Sequence, residues 1–251
     1  MAVPLLGVRR RGRRVSIPVR VFHLAHRRMP TLFGKVVLRV LMRATARGFS
    51  GRPKRLDGSH AERLHAYAAY TLRMARARSW GMEERGAPLA PNELDAIRNT
   101  ELALRLREEM RSTACALRRV LRPTDQHEAW EVVRVLYRVI GIALEAQPAQ
   151  AASASPQGAS AGGQIAKGDV ACSCSSSDTA CEGNCGPSAS VRMRSCYFSS
   201  VYGPATCALM SRMDEGLMAG LVGDGELVFS SRVTQGADAC CACFEMKGAA
   251  R

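Results

Sequence analysis

The stretch "PATCALMSRMDEGLMAGLVGDGELVFSSRVTQGADACCACFEM", Pro204 to Met246, decides the fold class. Pro204 suits the first turn of a helix, and Leu209, Met213, Leu217 and Leu221 then recur every four residues along one face. "GDG", Gly223 to Gly225, is a turn signal that ends this pattern. "ELVFSSRV" from Glu226 alternates and is rich in β-formers, "QGAD" from Gln235 is a second turn, and "ACCACFEM" from Ala239 is a last strand. With "VRMRSC" from Val191 as an extended segment ahead of the helix, the order is strand, helix, strand, strand. On the last strand, alternation puts Cys240, Ala242 and Phe244 on one face and Cys241 and Cys243 on the other.

Upstream, the segment 147–190 cannot build a core. "AQPAQAASASPQGASAGGQIAKG" from Ala146 has almost no charge and few large apolar residues, so it reads as a linker or an inserted loop. "DVACSCSSSDTACEGNCG" follows from Asp169. Its Cys172, Cys174, Cys181 and Cys185 are four thiols in fourteen residues, a set that suits a zinc ion or an iron–sulfur cluster. The irregular spacing and the Ser/Gly background suit a loop that binds nothing equally well, and both readings stay open.

Residues 57–146 carry three legible helix starts. Ser59 with Glu62 forms a capping box, Asn92 with Asp95 opens a long pattern through Ile97, Leu102, Leu104 and Leu106, and Asp125 with Glu128 opens another. This last helix is expected to run through "AWEVVRVLYRVIGIALEA", with Trp130, Val133, Leu136 and Val139 as its stripe. His65 and His127 read as surface histidines and Cys115 as a small core residue.

Residues 1–56 hold 15 Lys/Arg and no acid, against 14 and 13 in residues 57–146 and 7 and 9 in residues 147–251. The net charge of +14 is therefore an N-terminal property. "LFGKVVLRVLMRATARGF" places Leu32, Val36, Val37, Val40 and Leu41 at helical intervals, which points to a basic, partly helical extension of the fold. The alternatives are a transit peptide, which would make the location organellar, and peripheral contact with an anionic membrane. Nucleic acid is not expected, because no stacking platform or binding motif accompanies the charge. "VVRVLYRVIGIAL" from Val132 is the most apolar run, and Arg134 and Arg138 break it, so no membrane span is expected. Nothing resembles a secretory signal, so a reducing compartment and a cytoplasmic location are expected.

The expectation is thus an α+β protein: a basic arm (1–56), a helical region (57–146), a linker with a cysteine-rich insertion (147–190) and a small cysteine-bearing α/β-sandwich-like domain with antiparallel strands (191–251). Within that last part, Cys196, Cys207, Asp214, Gly236 and Cys240 or Cys241 resemble the motif of the L-2-amino-thiazoline-4-carboxylic acid hydrolase-like family. The resemblance covers about the last sixty residues clearly. The family strand usually has one cysteine followed by an acidic residue and Phe, whereas this chain has "CCACF". It implies hydrolysis at the C=N carbon of a small cyclic amidine or thiazoline, opened to N-carbamoyl-cysteine, with Cys196, Cys207, Asp214, Cys240 and Cys241 as site residues and no required cofactor.

The residues themselves are compatible with that chemistry. Cys207 lies near a helix start, where the dipole favours a thiolate. Asp214 is two turns further, roughly 10 Å along the axis, able to act on a substrate or a water between them. Bland alternatives weigh about as much: buried packing thiols, and a solvated Asp214 beside Glu215. Two other functions compete. The strand–helix–strand–strand shape also resembles 4-vinyl-reductase-type small-molecule binding domains, which implies binding of a ligand or metal without turnover. Two cysteines with an aspartate are also the set an organomercurial lyase uses, although only residue types match. Convergence of Cys196, Cys207, Asp214 and Cys240 or Cys241 on one pocket separates the hydrolase from a binding module.

Overall fold

The computed structural model describes residues 15–78, 88–147 and 189–247. These form seven α-helices and one four-stranded antiparallel sheet, an α+β fold. The helices are α1 (Ile17–Arg28), α2 (Pro30–Gly48), α3 (His60–Arg78), α4 (Pro91–Arg98), α5 (Glu101–Leu121), α6 (Gln126–Val139) and α7 (Pro204–Leu221). The strands are β1 (Ile142–Gln147), β2 (Ala189–Cys196), β3 (Gly225–Ser231) and β4 (Cys240–Met246), in the spatial order β1-β2-β4-β3.

Local chemistry accounts for most boundaries. Ser59 and Glu62 exchange the two bonds of a capping box, Glu62 N–H to Ser59 Oγ at 3.3 Å and Ser59 N–H to Glu62 Oε2 at 2.7 Å. Asp125 Oδ1 accepts the Glu128 N–H at 3.0 Å and starts α6. Two sequence expectations fail here. The start read at Asn92 belongs to Ala90, whose N–H is held by Glu93 at 2.8 Å, with Pro91 in the first turn. The long pattern that followed is two helices, because Thr100 caps a new one by accepting the Ala103 N–H at 3.3 Å.

A third correction adds a strand. The helix expected to run to Ala146 ends at Val139; Gly141 takes φ +75, and Ile142–Gln147 leaves as β1. That dihedral is one glycine adopts freely and other residues resist. Ile142, Leu144 and Ala146 carry a period of two that the preceding helical stripe masked. β1 pairs antiparallel with β2, with Ile142 opposite Cys196, so the sheet takes one strand from before the linker region and three from after it.

Helix α7 is the centre of the fold. Sixteen of its eighteen residues are buried, so even its charged residues Arg212 and Glu215 lie inside the fold. It lies so close to α5 that a Cβ on Gly216 would collide with the Arg107 carbonyl, and one on Gly220 with the Arg111 carbonyl. Glu215, 1% exposed, is clamped by Arg98 (3.0 Å), Arg212 (2.7 Å) and Arg107. Arg98 also donates to the Leu227 carbonyl at 2.6 Å and Arg107 to that of Gly225 at 2.9 Å, which ties α4, α5 and α7 to β3. The buried core is continuous from Val19 and Leu38 in the basic segment to Phe244 in β4.

Candidate functional site

Two residues of α7 keep accessible surface: Cys207 and Asp214. Seven positions apart, they share one face of the helix, and that face borders a cavity of about 80 Å³, room for several waters or one small molecule. Cys196 at the end of β2 and Cys240 at the start of β4 line the same cavity. The walls between them are apolar, including Ile142 of β1, Met193 of β2, Met210 and Met213 of α7, and Leu41 of α2. Four of the five expected site residues thus meet in one place. Cys241 does not: it is buried on the opposite face of β4, as alternation requires.

Among the expected metal ligands, Cys172, Cys174, Cys181 and Cys185 lie outside the described residues. Among the described residues, no three His, Cys, Asp or Glu side chains come close enough to hold one metal ion. Cys243 is disulfide-bonded, and the three cavity cysteines Cys196, Cys207 and Cys240 are free thiols. Cys115 is half-buried rather than a core residue, and His65 and His127 are exposed.

Electrostatics gives the cavity groups distinct states. Burial pushes the Asp214 carboxyl up to about 6, opposed by a 2.8 Å hydrogen bond from the Tyr137 hydroxyl and by the nearby positive charge of Arg232. Burial, reinforced by Asp214, pushes the Cys196 thiol up to about 12, against the N–H groups of Phe198 and Ser199. Burial pushes Cys240 up to about 11, although the Val233 N–H donates to its Sγ at 3.3 Å. Both thiols are therefore neutral near pH 7. Cys207 sits in the first turn of α7, with its N–H donating to the Gly203 carbonyl at 2.9 Å.

Sequence reading missed two members of the site. Tyr137 was one apolar position among many in α6, yet its buried hydroxyl orients Asp214. Arg232 follows β3, is 4% exposed, lines the cavity and stacks its guanidinium 3.9 Å from the centre of the Phe229 ring. Among the described residues, its Nη1 has no hydrogen-bond partner, and Nη2 donates to the Ser211 hydroxyl at 3.4 Å. A guanidinium keeps its charge at any physiological pH, and this buried one forms no salt bridge among the described residues, although its charge reaches Asp214. The available sequence signal was weak: a single arginine at the end of a β-forming run.

No protein-family model, curated protein or solved structure matches the chain.

Proposed function

We propose that this protein hydrolyses a small cyclic amidine of the thiazoline type that carries a carboxylate. The observation that carries the reading is the meeting of Cys196, Cys207, Asp214 and Cys240 around one apolar cavity, from three separate elements of the fold. In this reading the unpartnered Nη1 of Arg232 receives the substrate carboxylate, and the pairing offsets the cost of its burial.

Asp214 is the general base. Its proton affinity lies close to neutrality, where a base is most effective. It takes a proton from a water whose oxygen bonds to the C=N carbon, and the ring nitrogen becomes N–H. The ring carbon–sulfur bond then breaks, the water oxygen becomes the carbonyl of a urea, and the second water proton ends on the released sulfur. The products are atom-balanced: ring plus water gives an N-carbamoyl thiol. The neutral thiols of Cys196 and Cys240 offer hydrogen bonds to the departing sulfur. Cys207, on the same face of α7 as Asp214, borders the substrate.

The test is turnover of 2-amino-thiazoline-4-carboxylate in oxygen-18 water, read by mass spectrometry. Wild type is expected to yield N-carbamoyl-cysteine with one labelled oxygen, and Asp214→Asn to lose about 100-fold or more of the rate. Saturable binding without product would replace hydrolysis by the binding-module reading, and neither binding nor product would remove both.

A further inference from the structure

Ten large apolar side chains are exposed on the described surface, and seven of them belong to one short stretch. Ile17, Val21 and Leu24 lie on α1, Met29 is the single residue between the helices, and Leu32, Val36 and Val40 lie on α2. The spacing is helical in both elements. On α1 these residues occupy the face opposite the buried Val19; on α2 they run every fourth residue, while Val37 and Leu38 turn into the core. The sequence pattern groups Leu32, Val36, Val37, Val40 and Leu41 as one apolar set, but the fold divides them: Val37 and Leu41 turn inward, and the other three lie on the surface.

Cations accompany the stripe. Arg20, Arg27 and Arg28 flank it on α1, and Lys35, Arg39 and Arg43 form a parallel line on α2 at the same four-residue interval; all six are exposed. None of them forms an ion pair among the described residues. No acid occurs anywhere in residues 1–56, and residues 1–14 add Arg9, Arg10, Arg11, Arg13 and Arg14.

We propose that α1 and α2 form a docking face for an anionic bilayer surface. Apolar side chains beside long basic ones are the composition of a helix that lies in the membrane plane, with Ile, Val and Leu at the acyl boundary and Lys and Arg among the lipid phosphates. A second copy of this chain fits the charge poorly, because a two-fold face would set the cationic lines against each other. Nucleic acid gives the seven apolar groups nothing to bury against, and the half-buried rings Phe22 and Phe33 are packed edge to face on each other at 4.9 Å. No helix among the described residues is long and apolar enough to cross a membrane, so the contact is peripheral. This inference is independent of the cavity.

The experiment is co-sedimentation of the full chain with vesicles of phosphatidylcholine alone and with vesicles that also contain phosphatidylglycerol. The protein is expected to pellet with the anionic vesicles and to be released progressively by salt. Arg39→Ser with Arg43→Ser should weaken the association roughly 25-fold, about fivefold for each charge. Ile17→Ser, Val21→Ser and Val36→Ser together should weaken it roughly tenfold or more at unchanged net charge. Both variants alter exposed positions, and retention of the wild-type circular dichroism spectrum shows that they fold. Failure to pellet with anionic vesicles overturns the proposal. So does binding that survives the serine substitutions, or a dimer in solution that those substitutions abolish.

Discussion

The Tyr137 hydroxyl donates a 2.8 Å hydrogen bond to Oδ1 of Asp214, a contact from α6 to the centre of α7. Burial holds the Tyr137 phenol well above its ordinary range, so it stays protonated and remains a donor. The bond favours the carboxylate, yet desolvation is the larger effect and leaves Asp214 at about 6 instead of its ordinary 3.8. A raised carboxyl costs stability when it is ionised. That cost is full above about 6 and disappears as pH falls toward 3.8. Asp214→Asn removes the titration while it keeps an acceptor for Tyr137. The stability of this variant relative to wild type should therefore rise between pH 4 and pH 8 by up to about 3 kcal/mol. Urea denaturation at the two pH values measures it, and a constant difference would show that Asp214 is not shifted.

The same environment separates the thiols. With Cys196 near 12 and Cys240 near 11, the thiolate fraction of each at pH 7.5 is far below that of an ordinary cysteine. Alkylation by iodoacetamide should be roughly 100-fold or more slower at both than in a model peptide, and peptide mapping of timed quenches reads the rates. A fast reaction at Cys196 would sink the assignment of neutral thiols to the cavity wall.

How much of this was legible beforehand follows from what each residue competes with. Pro204, the four-residue apolar repeat and the two Gly-containing turns point the same way, so α7, β3 and β4 could be read from local signals. Alternation separates Cys240 from Cys241 across the two faces of β4 without saying which face is inner, and the cavity selects Cys240. β1 was hidden because Ile142, Leu144 and Ala146 continue a helical stripe, and only the conformation of Gly141 breaks it. Asp214 and Glu215 are adjacent and both charged; which one faces a cavity and which an arginine clamp depends on α5 and the sheet, and no local pattern encodes that. Arg232 was overlooked for the same reason: its meaning comes from what it lacks in three dimensions, a partner for Nη1.

Removal of that guanidinium gives a prediction of its own. Arg232→Met keeps much of the volume and the contact with Phe229 while it deletes a buried charge, a change that is neutral or stabilising where the charge is unpaired. Without ligand, the melting temperature should stay the same or rise. Addition of 2-amino-thiazoline-4-carboxylate should raise the melting temperature of wild type and leave the variant unmoved. A variant that melts far lower would make Arg232 a structural residue.

Glu215 is the opposite case, a buried charge with more partners than it needs. Arg98, Arg107 and Arg212 converge on it, and two of them also donate to carbonyls of β3. Loss of the carboxylate would leave three guanidinium groups close together, each less than a fifth exposed and two of them less than a tenth. Breakage of a buried pair by removal of one member typically costs 3–5 kcal/mol, roughly the scale expected for Glu215→Ala. Glu215→Gln keeps acceptor capacity on one oxygen and should cost less, about half. Denaturation in urea measures both, with high salt as a control, since screening reaches exposed pairs such as Arg47–Glu109 but not this clamp. The clamp lies one residue from Asp214, so its loss should also change the cavity. A destabilised Glu215→Gln whose Cys196 alkylates faster than in wild type would show that the arginine cluster holds α7 in the register the site requires.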